Sequence, residues 1–328
     1  MKRIDLHVHS SKSDGTLTPA QLVQHASACG LSAFALTDHD TTDGLPEAFS
    51  EAARLGIEVV PGIEFSTEYQ GSDIHIVALE PDWENPDFQE KLRYYRASRS
   101  RRNLKMIERM ADDGIDISAE QMAEAFPDII WTRTHFARYL ADHGYVAHMW
   151  DAFDSHIGPG CPYYVPREKI NPLEAVALIR RFHGIPVLAH PFQYVLSAGA
   201  DPASSLCTRS AKLRLPSGYS DACADGLCVL LEKLRDAGLI GMEVYYSTHS
   251  PEQTDFLRIL ARQYDLLPGG GSDFHGTNKP DIALGTGKQN LQIPYELLTA
   301  LRERRNPSTR RTAKGPEAAI RPVSCIDN

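Results

Sequence analysis

The sequence predicts an α/β fold, a parallel sheet or barrel interrupted by an inserted helical cap, and three observations carry that expectation. Short apolar runs alternate with helix-length segments, the rhythm of βαβ units. Histidines and carboxylates gather where the apolar runs end instead of scattering through helices and loops. The alternation breaks over residues 85–167, which read as helical almost throughout. A chain of 328 residues can close one such barrel as a single domain with an insertion.

Taken in order, residues 4–9 alternate side chains as a strand. Residues 19–29 follow as a helix, with Thr18 as N-cap, Pro19 in the first turn and Gly30 as the stop. Residues 33–37 form a strand, 46–55 a helix, and 58–63 and 73–79 two more strands. In the interrupting segment Phe88, Leu92 and Tyr95, then Leu104, Ile107 and Met110, fall at helical spacing, and we read it as a cap over the barrel mouth. Helix and strand alternation resumes with 172–183, 186–189, 227–237, 241–246, 251–264 and 266–270. The barrel is therefore expected over 1–84 and 168–302, with a long loop at 197–226 that is rich in small residues. Residues 303–328 are expected to form a basic flexible tail.

Composition narrows the function. Apolar content of 42% and charged content of 23% are those of an ordinary soluble globular chain. Charges at Lys2, Arg3 and Asp5, and the lack of any membrane-length apolar run, point to a cytoplasmic protein with no membrane association. Six cysteines without a Cys-x-x-Cys pair suggest reduced thiols. A net charge of −9 argues against a general nucleic-acid coat but leaves small anionic substrates open. Two local basic clusters stand out, Arg93, Arg96, Arg99, Arg101 and Arg102 on one helix, and Arg302, Arg304, Arg305, Arg310, Arg311 and Lys314 near the C-terminus. The second reads as a solvated tail, and no protein partner is indicated.

The candidate metal ligands are His7, His9, Asp14, His39, Glu64, His75, His190, Asp273 and His275. His7 and His9, two apart on a strand, face the same side and can grip one ion. In an α/β barrel the active site lies at the C-terminal strand ends, where these residues are expected. Imidazole with carboxylate suits manganese, zinc or iron better than magnesium or calcium. Nine ligands exceed the needs of one ion and would serve up to three if one carboxylate bridges. His25, His143, His148, His156 and His183 have no such partners in the pattern and are taken as structural.

The ordered motifs Asp5-Leu6-His7-Val8-His9, Ser13-Asp14-Gly15, Thr37-Asp38-His39-Asp40, Pro61-Gly62-Ile63-Glu64, Asp73-Ile74-His75, Ala189-His190-Pro191 and Gly271-Ser272-Asp273-Phe274-His275 resemble the polymerase-and-histidinol-phosphatase (PHP) superfamily. The resemblance implies a distorted seven-stranded β/α barrel and a trinuclear centre of divalent ions, manganese first, with zinc or iron as alternatives. One ion would take His7, His9, Glu64 and Asp273. A second would share Glu64 and take His75 and His190, and the third would take Asp14, His39 and His275. Asp38 and Asp40 would fix the His39 tautomer.

Within the superfamily the chain is similar to the bacterial branch that includes a 3′,5′-nucleoside-bisphosphate phosphatase and a 5′-to-3′ exoribonuclease. The resemblance rests on Arg133-Thr134-His135, where that branch places an Arg-x-His against substrate phosphate. It implies attack by metal-activated hydroxide on the phosphate of a nucleoside bisphosphate or of a short RNA 5′ end. Arg133 would hold the phosphate, with Arg99, Arg102 and His135 also in contact with substrate, and His135 or His249 would serve the leaving group. The alternatives are a sugar-phosphate or cyclic-phosphate esterase of the same superfamily and a metal-binding PHP domain without catalysis. Carbon–nitrogen hydrolysis of the amidohydrolase type would want a bridging lysine, and Glu64 stands in that place.

Overall fold

The computed structural model describes residues 2–127, 129–194, 216 and 221–305. Its sheet runs in the order β7-β6-β5-β4-β3-β2-β1-β8. The strands are β1 (Arg3–Val8), β2 (Ala33–Leu36), β3 (Glu58–Tyr69), β4 (Ser72–Leu79), β5 (Ile185–Leu188), β6 (Gly241–Tyr246), β7 (Leu267–Gly271) and β8 (Ile293–Pro294). Between them lie α1 (Pro19–Ala28), α2 (Leu45–Leu55), α3 (Pro86–Asp112), α4 (Ala119–Ala125), α5 (Arg133–Asp142), α6 (Pro172–Arg181), α7 (Asp221–Ala237), α8 (Pro251–Gln263) and α9 (Tyr295–Arg305). Capping chemistry sets several of the helix starts. Thr18 and Gln21 close a capping box on α1, Ser250 and Gln253 close another on α8, and each is followed by proline in the first turn.

Eight strands replace the seven expected, because the second edge of β1 is divided. At its upper end the Asp273 amide donates to His7 O at 2.9 Å and the His9 amide to Phe274 O at 3.0 Å, which joins β7 to β1. At its lower end the two-residue β8 pairs with Arg3 and Ile4. Closure at the top requires glycine, since a Cβ on Gly271 would sit 2.3 Å from His7 Cβ. The buried Asp5 carboxylate reinforces the seam by accepting from the Ser272 and Gly285 amides, both at 2.8 Å.

The βαβ rhythm is also broken at β4, which runs antiparallel to both β3 and β5. β3 runs on for 12 residues and pairs antiparallel with β4 from Gly62↔Leu79 to Tyr69↔Ser72. Gln70 and Gly71, at φ 51° and 79°, make the two-residue turn that such a hairpin favours. Glu64 consequently lies in the middle of a strand, not at its end, and His75 lies inside β4.

Apolar clusters lie among the strands (Ile4, Leu6, Ala35, Val60, Val77, Val187) and between the sheet and its helices (Phe34, Leu22, Val23; Ile76, Val176, Leu230). The segment between β4 and β5 has a cluster of its own, from Met106, Met110, Phe136, Tyr139 and Leu140. That segment is less helical than its sequence suggests. α3, α4, α5 and a short π-helical turn at Phe153–Ile157 are separated by irregular chain. Residues 221–226, expected as loop, begin α7, and most of the remaining 197–226 stretch lies outside the described residues, as do residues 306–328. Arg302, Arg304 and Arg305 belong to α9 and are ion-paired to Glu58, Glu80 and Asp265, not freely solvated. Cys29 and Cys161 are free thiols, whereas Cys228 is disulfide-bonded, which departs from the reduced set expected. No helix among the described residues is long and apolar enough to cross a membrane.

Candidate metal centre and substrate cavity

β1 brings His7 to the top of the barrel, where its Nδ1 lies 2.8 Å from Glu243 Oε1 on β6. With the proton on Nδ1, the Nε2 lone pair is left facing inward, 3.0 Å from His9 Nε2 and 3.2 Å from Glu64 Oε2. Glu243 also accepts the His190 amide at 2.7 Å, so one carboxylate positions two segments that carry candidate ligands. It was not anticipated from sequence, although an acid in the middle of the apolar run Gly-Met-Glu-Val-Tyr-Tyr was a usable signal.

Glu64 is the centre of the cluster. Its Oε2 lies 3.1–3.2 Å from His7, His9 and His39 nitrogens, and its Oε1 lies 2.9 Å from His75 Nδ1 and 3.0 Å from His190 Nε2. Asp273 Oδ1 faces His9 Nε2 at 3.4 Å and His7 Nε2 at 3.7 Å, while its Oδ2 accepts from Tyr246 at 2.6 Å and Lys279 at 2.5 Å. Asp14 Oδ1 stands 3.3 Å from His275 Nε2, and Asp14 Oδ2 stands 3.9 Å from His39 Nε2. All nine residues singled out as ligands thus converge. Among the described residues, three groups have ligand atoms close enough to share an ion: His7, His9 and Glu64; His39, Glu64 and His75; and His9, Asp14, His39 and His275. His9 and His39 therefore each face two groups, which the sequence-based partition did not foresee.

The donor set fits divalent cations. Asp14 Oδ1 and His190 Nδ1 are buried without a hydrogen-bond partner, a costly arrangement for polar atoms unless something else engages them. Burial would lower the His9 imidazole, yet Asp273 and Glu64 outweigh it and push it up to about 9. Burial would raise Glu64, and the imidazoles of His7, His39 and His75 hold it well below the ordinary range instead. These carboxylates demand positive charge in the nest. The backbone is strained at the same place, with Asp40, His190 and Asp273 all at positive φ.

Asp38 and Asp40 do not touch His39. Asp38 accepts from the Ser10 amide and from the Ser10 and Ser13 hydroxyls at 2.6–2.7 Å, which organises the loop carrying Asp14. Asp40 pairs with Arg99 and with Arg167, the latter at 3.1 Å, and accepts the Ser66 amide. The His39 Nδ1 approaches Glu64 and Ser66 instead.

Above the nest opens a cavity of about 270 Å³ whose far wall is basic: Arg99, Arg102, Arg133, Arg167 and Lys169. Arg167 and Lys169 escaped the sequence reading because they follow the helices, in an irregular stretch with no periodicity. Arg133 is paired with Asp73 at 2.7 Å and lies over the Tyr164 ring, 5.8 Å from its centroid. Arg102 is buried, bonds Asn103 Oδ1 through Nε, and has no carboxylate partner among the described residues. Burial and the neighbouring Arg99, Arg167 and Arg133 charges hold it well below the ordinary arginine range. Such a guanidinium is ready for an anion.

His135 and His249 stand elsewhere. His135 Nδ1 accepts the Thr132 amide at 2.8 Å as part of the α5 cap. His249 packs against Phe192 and Tyr246 with Nδ1 3.2 Å from Val244 O. Burial lowers each to about 4, and neither lines the cavity. The roles expected for them are not supported by this placement.

The PHP domain family matches residues 5–136. The chain is 32% identical over 274 residues to a 5′-3′ exoribonuclease of Haemophilus influenzae, covering 84% of this chain and 90% of that protein. It is 34% identical over 284 residues to a 3′,5′-nucleoside bisphosphate phosphatase of Chromobacterium violaceum, covering 84% and 88%. A solved structure described as an amidohydrolase from Chromobacterium violaceum, with bound sulfate and no metal, superimposes with a TM-score of 0.74 at 31% identity over 91% and 96% of the two chains. One of a metal-dependent phosphoesterase from Bifidobacterium adolescentis gives 0.73 at 30% identity over 92% and 96%. Sequence, barrel and ligand nest agree, and the chain belongs to the PHP family of metal-dependent phosphoesterases.

Proposed function

We propose that the chain hydrolyses phosphate esters of nucleotides, with 3′,5′-nucleoside bisphosphates and 5′ ends of short RNA as first substrates. The observation that carries this is the pairing of a buried imidazole–carboxylate nest with a basic wall across one cavity. Up to three divalent ions would be held by His7, His9, Glu64 and Asp273, by Glu64, His75 and His190, and by Asp14, His39 and His275, with manganese first. Such ions supply Lewis acidity and make water a nucleophile at neutral pH. Glu64 orients the nest by offering one oxygen to each side, and Glu243 holds His7 in the ligating tautomer. Arg133 and Arg102 take the non-reacting phosphate oxygens, where charge builds in an in-line displacement. Lys169, paired with Asp73 beside Arg133, keeps that carboxylate from neutralising Arg133 alone. Every ligand position is filled, which favours catalysis over a metal-binding domain without activity.

The test is elemental analysis of the purified protein with chelation and metal add-back. The substrate panel holds nucleoside bisphosphates, short RNAs, sugar phosphates, cyclic phosphates and simple amides. We expect up to three ions per chain and phosphoesterase activity that disappears with the metal. Full activity in exhaustively metal-free protein, or turnover confined to amides, overturns the proposal.

A further inference from the structure

The cavity over the metal nest does not end at its basic wall. His39 and Arg99 also border a second cavity, lined farther on by Lys12, Arg96, Phe126 and Trp131. Trp131, with Ile129 and Ile130, in turn borders a third, whose opposite side is Ser100, Asn103 and Leu104. The three share walls in series. α3 supplies one side of the path with Arg96, Arg99, Ser100, Asn103 and Leu104, spaced i, i+3, i+4, i+7 and i+8, a single stripe of the helix. Eight residues of helix span about 12 Å.

The chemistry changes along the path. Near the nest it is cationic: Arg99, Arg96, and Lys12, whose ammonium has no carboxylate partner among the described residues. Arg96 is shared with Asp43 at 2.7 Å and Thr41 at 3.2 Å. Farther out it is apolar and aromatic: Phe126, the partly exposed Trp131, and Leu104, which is 54% exposed. Asn103 pins the Trp131 loop to α3 by donating to Trp131 O at 2.8 Å. Cations beside aromatic and apolar surfaces are how single-stranded nucleic acid is held, phosphates on the charges and bases on the rings. A net charge of −9 argues against general affinity for polyanions, so a strand would be taken by such a local path.

We infer that these cavities form one track for single-stranded RNA, which holds the nucleotides that follow the one whose phosphate reacts. The track makes the enzyme prefer a short oligonucleotide to a mononucleotide. It rests on the reading that a nucleotide phosphate reacts at the nest, but it is measurable apart from turnover.

The metal-loaded protein and the variants Arg96→Ala, Leu104→Glu and Trp131→Ala are compared in two assays. The first is kcat/KM on a nucleoside 3′,5′-bisphosphate and on 5′-phosphorylated oligoribonucleotides of increasing length. The second is fluorescence anisotropy with a labelled, hydrolysis-resistant phosphorothioate hexaribonucleotide. We expect kcat/KM to rise with the first added nucleotides. Each variant should lose on the order of 10-fold on oligonucleotides and in hexamer affinity while bisphosphate hydrolysis stays unchanged. Trp131 also packs within the helical segment, so Leu104→Glu, at an exposed position, decides the matter if Trp131→Ala misfolds. Hexamer affinity untouched by Leu104→Glu and Arg96→Ala, or no gain with length, overturns the track while bisphosphate turnover keeps the nucleotide reading alive. Hexamer binding that the variants weaken, in a protein inert to every phosphate ester, supports the track and sinks the phosphoesterase reading instead.

Discussion

Glu64 offers its two carboxylate oxygens to different imidazoles, Oε1 to His75 and His190 and Oε2 to His7, His9 and His39. Glu64→Gln keeps the shape but replaces one oxygen by a donor that no metal accepts, so the two ions that Glu64 is proposed to bridge would lose a ligand together. We expect turnover to fall on the order of 10³-fold or more, with metal content falling too. Near-normal turnover with full metal content would reject the bridge. Arg133 answers a different question, since it lies outside the nest and is braced by Asp73 and Tyr164. Arg133→Ala should leave metal content and fold intact while costing roughly 2–5 kcal/mol in kcat/KM. Measured side by side on singly and doubly phosphorylated nucleotides, an equal loss assigns Arg133 to the reacting phosphate. A loss confined to the doubly phosphorylated substrate assigns it to the second phosphate, and no loss on either removes it from the site. The clustering of the nine candidate residues was legible in the sequence because histidines and carboxylates recur in order beside the apolar runs, although Glu64 and His75 lie within strands and not at their ends. Glu243 was harder to see, since its role depends on which groups the fold brings against it, His7 Nδ1 and the His190 amide, and spacing does not encode that.

α9 lies away from the nest and bears on stability. α9 is fastened under the barrel by Arg302, which donates to Glu80, to Glu58 at 2.6 Å, and to the Tyr295 hydroxyl of the same helix at 3.0 Å. Burial would raise the Glu58 carboxyl, but bonds from Tyr295 and Arg302 lower it below its ordinary value. A depressed carboxylate stabilises the fold above the unfolded pKa, near 4.3, and the contribution fades as pH falls through the folded value. The cluster is partly solvated, so Arg302→Ala should cost only about 1 kcal/mol at pH 7. Urea melts should show that difference shrinking below pH about 4, without loss of activity. An undiminished difference at low pH would mean that packing, not charge, is lost. α9 also shows where sequence reading stopped short. A cluster of arginines beside Pro, Ser and Thr reads as a solvated tail, and only the opposed Glu58 and Glu80, distant in sequence, make three of them structural. The β3–β4 hairpin was missed for a related reason. Glu64, Ser66 and Glu68 interrupt the apolar run, and their polarity suits a barrel mouth as well as it suits a loop.

At the scale of the whole molecule, the nest draws on β1, β3 and β4 and on the segments following β1, β2, β5 and β7, from His7 to His275. No unfolded chain presents that set, so ions that bind it bind the native state alone and stabilise it by mass action. The metal-free fold must instead hold Asp14, Glu64, Glu243 and Asp273 together, all buried, with Asp14 Oδ1 making no hydrogen bond. Chelation should therefore lower the melting temperature as well as activity. An ion present at a thousand times its dissociation constant contributes about 4 kcal/mol. For a chain of this length that corresponds to a fall on the order of 10 °C. Calorimetry on the protein as purified, after chelation and after metal add-back reads the shift directly. Glu64→Gln, with the one ligand proposed to be shared by two ions weakened, should show a smaller shift than wild type. An unchanged melting temperature after ions are shown to be gone would mean that the carboxylates of the nest are held neutral without metal, and the charge argument for the centre would fail.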